Sequence, residues 1–174
     1  MVTHMRESKY LKDDAQNIQK LVSLPIFKDF ETGVLGGLLR LSKIREYNDG
    51  EIIIKEGDLD QWLYFLLSGQ VKIVKDGKLL QTLKRRGDVF GEMGMLGGLD
   101  RSASVYALGP TVCLTTDASR IENVSGNDRL AFGFLLYRIF AEIVTERLRT
   151  TSEDLVKAKR EIMVLKQKLE RPAR

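Results

Sequence analysis

A chain of 174 residues with 43% apolar and 30% charged content is long enough for one compact core and an appendage, and its composition is that of an ordinary globular protein. Its formal charge of +4 comes from lysines and arginines interleaved with acids along nearly the whole length, which describes a solvated surface and not a nucleic-acid-binding stripe. A single cysteine excludes an internal disulfide and a thiolate metal cluster, and the lone histidine, His4, removes the residue type most used for metal binding and for proton transfer near neutral pH.

The N-terminal stretch mixes Arg6, Glu7, Lys9 and Asp13 with no apolar run. The longest apolar runs elsewhere, Trp62 to Leu67 and Phe134 to Tyr137, fall far short of a membrane span. No secretory signal, transmembrane helix or membrane partner is therefore expected, and a cytoplasmic location is the default. From about Lys12 to Leu41 the chain reads as short helices, with Leu21, Leu24, Phe27 and Phe30 at helical spacing and Pro25 as the break.

From Ile44 to Thr116 the texture changes to short apolar runs punctuated by Asp49-Gly50, Glu56-Gly57, Ser68-Gly69, Asp76-Gly77, Arg86-Gly87 and Gly109-Pro110. Such punctuation predicts an all-β sandwich or barrel, with an antiparallel jelly roll as the architecture. The clearest hairpin joins Val71–Lys75 to Lys78–Leu83 through Asp76-Gly77, whose residues suit the positive φ angles of a type I′ turn. Cys113 falls in this region and reads as a small buried hydrophobe.

After Gly133 no glycine follows, and no proline until Pro172. A mostly apolar set recurs at alternating steps of four and three: Leu130, Phe134, Tyr137, Ala141, Val144, Leu148, Thr151, Leu155, Ala158, Ile162, Leu165 and Leu169. That repeat is the seam of a coiled coil on a helix roughly 60 Å long. With Leu148 at an a position, a parallel pairing of two copies sets Asp154 against Lys159 and Glu161 against Lys166, both of opposite sign. Leu135, Leu136, Ile139, Phe140 and Ile143 widen the apolar face early in the helix, so that part is expected to pack on its own domain. A long helix folded back over the β domain remains the alternative. The division expected is 1–128 for the N-terminal helices and β-roll and 129–170 for the dimerisation helix.

The chemistry lies in the stretch from Gly87 to Val105. Glycines crowd it, allowing close backbone approach to a ligand, and a short helical turn starting near Gly91 would aim free amides at an anion. Arg101 suits a phosphate through two parallel hydrogen bonds, and Ser102 adds a hydroxyl donor. Glu92, an acceptor when ionised, suits a sugar hydroxyl and repels a phosphate. The set fits a ligand with one phosphate and one ribose; a turn closed by a Glu92–Arg101 ion pair is the plainer alternative.

The order Phe90-Gly91-Glu92-Met93-Gly94-Met95-Leu96 followed by Arg101-Ser102-Ala103-Ser104-Val105 resembles the phosphate-binding cassette of cyclic-nucleotide-binding domains. Gly50, Gly57, Gly69 and Gly87 find counterparts in that family, as does Tyr64-Phe65-Leu66-Leu67-Ser68-Gly69. The resemblance implies that Arg101, Ser102 and the Ala103 amide hold the cyclic phosphate. It implies that Glu92 accepts from the ribose 2′-hydroxyl and that the backbone around Gly91 and Met93 closes the cassette. Arg147-Leu148-Arg149-Thr150-Thr151-Ser152-Glu153 is similar to the base-contacting stretch of catabolite activator proteins, which implies adenine contacts for Thr151 and Ser152, one from each subunit. Independently of the family, Thr151 occupies a seam position where leucine would stabilise more.

The expected protein is therefore a non-catalytic sensor: mainly β with flanking helices, an antiparallel β-roll plus a long C-terminal coiled-coil helix. It binds cAMP, or cGMP since Ser102 suits both, with no cofactor and no metal. It would dimerise through its C-terminal helix and act on an effector protein. No winged helix-turn-helix follows the last heptad leucine, so no direct DNA binding is expected, and the chain reads as a free-standing sensor or the sensor half of a truncated transcription regulator. The rivals are an interaction module that has lost its ligand and a cupin-type enzyme, which one histidine does not equip.

Overall fold

A computed structural model of the chain describes residues 5–92, 100–123 and 127–169. The elements run β1 (Arg6–Glu7), α1 (Ala15–Val22), a 3-10 turn (Pro25–Phe27), α2 (Thr32–Arg40), β2 (Ser42–Tyr47), β3 (Ile52–Ile54), β4 (Trp62–Lys75), β5 (Lys78–Leu83), β6 (Val89–Phe90), β7 (Ser104–Asp117), a second 3-10 turn (Ala118–Asn123) and α3 (Asn127–Leu169). They form two compact units, residues 1–136 and 137–174.

The first unit is built on an antiparallel sheet, with strand order β1-β2-β7-β4-β5, β3 beside β7 and β6 beside β4. This is the jelly-roll-like fold expected. Its spine is the pairing of β4 with β7, each 14 residues long, from Trp62 opposite Asp117 to Val74 opposite Ser104. Leu63 to Leu66 are all buried because both faces of β4 are covered. On one face Phe65 meets Phe27 of the first 3-10 turn, with ring centroids 4.9 Å apart. On the other, Tyr64 and Leu66 join Tyr47, Phe90, Val105 and Cys113 in an inner core. Cys113 is buried as expected, and burial pushes its thiol up to about 12.

Pro25 does interrupt the N-terminal helical region, and Asp14 caps α1 by accepting from the Asn17 amide at 2.9 Å. At the end of α2, Ser42 donates to the Leu38 carbonyl at 2.6 Å and lies 2.8 Å from the Thr116 hydroxyl, which joins the helical layer to the sheet. The Asp76-Gly77 turn has φ of 49° and 74°, the left-handed pair that the hairpin requires.

Two expectations change. Ser68-Gly69 and Gly109-Pro110 read as strand ends, yet both lie within strands. The β4–β7 register shifts around Ser68, and Gly69 and Gly109 adopt φ of 87° and 75°. They are bulges that bend two continuous strands into a roll, not turns that end them. The second change concerns the N-terminus, where the sequence predicts no element before about Lys12: Arg6 and Glu7 pair with Glu46 and Arg45. His4 lies outside the described residues.

The second unit is the remainder of α3, a helix of 43 residues. Leu135 and Leu136, on the part of it within the first unit, are buried. Leu148, Leu155, Ile162 and Leu165 of the expected seam are exposed in the single chain.

The two bulge glycines provide a stability test. A Cβ on Gly69 would fall 2.7 Å from the Thr111 Cα and closer still to the Pro110 carbonyl, whereas one on Gly109 meets nothing within 4 Å. Gly69→Ala should cost at least about 2 kcal/mol and Gly109→Ala about 1 kcal/mol, by urea denaturation.

Candidate functional site

Arg101 precedes β7, and its backbone is clamped to the turn after β3: its amide donates to the Asp58 carbonyl and its carbonyl accepts from the Gly57 amide, each at 2.9 Å. The side chain turns inward and is only 3% exposed. A guanidinium keeps its charge there, so acceptors must surround it. The carboxylate set in its fork is that of Asp60, which takes Nε at 3.1 Å on one oxygen and Nη2 on the other. Nη2 also donates to the Trp62 carbonyl at 2.6 Å, and Nη1 to the Gly91 carbonyl at 2.5 Å.

Gly91 follows β6, which is held against β4 by Tyr64 opposite Phe90, their rings stacked 5.0 Å apart. Its φ is +84°, and a Cβ would fall 2.9 Å from both Arg101 Nη1 and the Trp62 carbonyl. Only glycine fits this close approach. Glu92, next in the chain, is 2% exposed, so a buried carboxyl group and a buried guanidinium lie one residue apart across the Gly91 carbonyl. Ser102 and Ala103 are partly buried beside Arg101.

Of the expected ligand residues, the structure thus brings Arg101 against Gly91, with Glu92, Ser102 and Ala103 as their immediate neighbours in the chain. Met93 and the helical turn expected near Gly91 lie outside the described residues. Thr151 and Ser152 are exposed on α3 in the second unit. A cavity of about 390 Å³ elsewhere in the first unit is lined by Tyr47, Asn48, Pro110 and Thr111 among others, and by none of the expected ligand residues.

Asp60 was not anticipated. Burial raises its carboxyl, but hydrogen bonds from Arg101 and the Trp62 amide, with the charges of Arg101 and Arg45, outweigh burial and hold it below the ordinary range. Its only sequence signal is an acid in a polar turn, 41 residues from its partner.

Residues 44–128 match the family described as the cyclic nucleotide-binding domain. Over these residues the chain is a member of the cyclic nucleotide-binding domain family. A cGMP-dependent protein kinase of Toxoplasma gondii is 31% identical over 135 residues, 78% of this chain and 13% of that one. A cAMP-dependent protein kinase regulatory subunit of Debaryomyces hansenii is 38% identical over 80 residues, 46% of this chain and 18% of that one. The crystal structure of the Thermus thermophilus catabolite activator protein superposes with a TM-score of 0.59 at 29% identity, covering 78% of this chain and 63% of that one. The chain therefore spans a small part of these kinase-system proteins and corresponds to a binding domain within them. No described helix is long and apolar enough to cross a membrane.

Because Asp60 is depressed in the folded protein, its contribution to stability is fully present above the unfolded carboxylate range and is lost as pH falls through the folded value. Asp60→Asn should destabilise the wild-type fold by about 1.5 to 3 kcal/mol at neutral pH. It should also flatten the fall in stability below about pH 4, as chemical denaturation across that range will show.

Proposed function

We propose that this chain is a cAMP-binding regulatory sensor that dimerises through α3 and transmits ligand state to an effector protein. The observation that carries the ligand reading is the buried Arg101, flanked by buried Glu92 and by a glycine that permits close approach. A phosphate offers the guanidinium the same pair of oxygens as the Asp60 carboxylate, so Arg101, with Ser102 and the Ala103 amide, receives the cyclic phosphate. Glu92 accepts from the ribose 2′-hydroxyl, and the backbone at Gly91 and Met93 closes over the ligand. Thr151 and Ser152 contact the base. The choice of cAMP over cGMP rests on the likeness of Arg147–Glu153 to the adenine-contacting stretch of catabolite activator proteins; the relatives named above include proteins named for each nucleotide.

The division proposed is a ligand-binding part to residue 128 and a dimerisation helix over 129–170. Dimerisation is supported by the exposed stripe of Leu148, Leu155, Ile162 and Leu165 and by the opposite charges that a parallel pairing brings together. The chain performs no catalysis in this reading and reads no DNA.

A thermal-shift screen with cAMP, cGMP and other anionic metabolites tests the ligand, since a molecule bound only by the folded state raises the melting temperature. In calorimetry Arg101→Ala should weaken cAMP binding about a hundredfold or more. Arg101→Lys, which keeps the charge but not the fork, should weaken it at least about tenfold and lower the melting temperature, because the paired bonds to Asp60 are lost. Undiminished binding in both variants rejects the pocket.

Thr151→Leu should tighten self-association about tenfold in sedimentation while weakening cAMP binding. Wild-type protein that is monomeric at high micromolar concentration rejects the dimer.

A further inference from the structure

The N-terminal strand brings a second set of charges to the same wall of the roll. Glu7 on β1 is paired opposite Arg45 on β2, and Arg45 is paired opposite Cys113 on β7. Residues directly opposite in antiparallel strands share a face. Cys113 belongs to the inner core, so Arg45 also lies on the inner side.

Its surroundings bear this out. The Arg45 side chain is 12% exposed, and its guanidinium carbon lies 3.9 Å from the centroid of the Trp62 ring. It donates through Nη1 to the Tyr64 hydroxyl at 3.3 Å and through Nε to Glu7 at 2.6 Å. The other Glu7 oxygen takes Lys43 Nζ at 2.5 Å. Two cations share one carboxylate, which leaves this wall with a positive charge in excess.

The cluster is joined to the Arg101 site through two residues. Trp62 carries Arg45 on its ring and Arg101 on its carbonyl. Tyr64 takes Arg45 on its hydroxyl while its ring stacks on Phe90, one residue before the glycine whose carbonyl accepts from Arg101. Asp60, the anion in the fork of Arg101, is itself held ionised against its burial partly by the charge of Arg45. The field of Arg45 therefore reaches the place where Arg101 meets an anion.

We propose that Arg45 is a second cation of the cyclic nucleotide site, and that Glu7 on the N-terminal strand limits how much of that charge the ligand's phosphate feels. The inference rests on the ligand reading given under Proposed function. Arg45 acts at a distance as a positioning and affinity-setting residue, since Trp62 and Tyr64 stand between it and Arg101. Lys43 shares its carboxylate and reinforces the same field. Strand β1 is thereby part of the binding machinery.

The sign of two substitutions separates this from a scaffolding role. Calorimetry with cAMP and with cGMP is run on wild type, Arg45→Met, Arg45→Lys and Glu7→Gln, each with a thermal melt. Arg45→Met should weaken binding about three- to tenfold, the size expected of a nearby charge that makes no contact, and should flatten its dependence on salt. Arg45→Lys should stay close to wild type. Glu7→Gln should lower the melting temperature, because β1 loses its ionic anchor, yet tighten binding about threefold. Opposite effects on affinity with the same effect on stability cannot come from a loosened scaffold. If Glu7→Gln and Arg45→Met both lose affinity in step with stability, or if neither changes it, the inference is wrong. Wild-type protein that takes up neither nucleotide overturns the ligand reading and this inference together.

Discussion

Arg101 carries a guanidinium into a site where it is 3% exposed, so its hydrogen-bond donors cannot be left to water. Acceptors have to be delivered to it from separate parts of the chain. Asp60 comes from the turn before β4, the Trp62 carbonyl from the first residue of β4, and the Gly91 carbonyl from the residue after β6. The backbone of Arg101 is meanwhile tied to Gly57 and Asp58. One side chain thus fastens three segments at one end of the roll. Gly91 must lack a side chain for this to happen, because a Cβ would occupy space that Nη1 and the Trp62 carbonyl already share.

The same arrangement sets the terms on which an anionic ligand can bind. On the proposed reading, the donors that a cyclic phosphate needs are those that Asp60, Trp62 and Gly91 employ, so binding would be an exchange of acceptors and its net affinity a difference between two well-bonded states. An exchange of this kind has structural consequences that a vacant pocket would not. Loosening Asp60 from the fork loosens the turn from Gly57 to Asp60, which is otherwise held by the backbone of Arg101. Replacing one anion by another also leaves the charge of the site nearly balanced, which keeps the buried guanidinium tolerable in both states.

How far the sequence foretold this depends on the range of each interaction. The Asp76-Gly77 hairpin was legible because a type I′ turn is specified by adjacent residues, and α3 because its repeat persists for many turns. The bulges were misread for a local reason: a glycine with positive φ inside a strand has the same signature as one that ends it. Only the neighbouring strand decides, and here β7 continues past Ser68 and β4 past Gly109-Pro110. Strand β1 is two residues long, too short for any alternation to register. At the site, Gly91, Glu92 and Arg101 stood out because a resemblance joined them, whereas Asp60 makes its pair across 41 residues of chain and carries no local mark. Arg45 was hidden similarly, since an arginine among strand residues reads as solvent-facing until pairing with Cys113 puts it on the inner side.

Beyond the roll, the energetics of α3 rank its contacts. Arg149 bridges to Glu146 and Glu153, each at 2.6 Å, but exposed pairs of this type contribute little because solvent screens them. In the proposed dimer, burying Leu148, Leu155 or Ile162 would contribute about 1.5 to 3 kcal/mol apiece, so the apolar stripe would govern whether a second helix is held and the charges only its direction. Thr151 interrupts that stripe with a hydroxyl. In the proposed dimer a leucine there would tighten the pair about tenfold, and a ligand would need that much more difference in affinity between the two states to shift it. On the reading proposed above, a weakened seam beside a polar pair, Thr151 and Ser152, would keep the association within the range that one bound nucleotide is able to control.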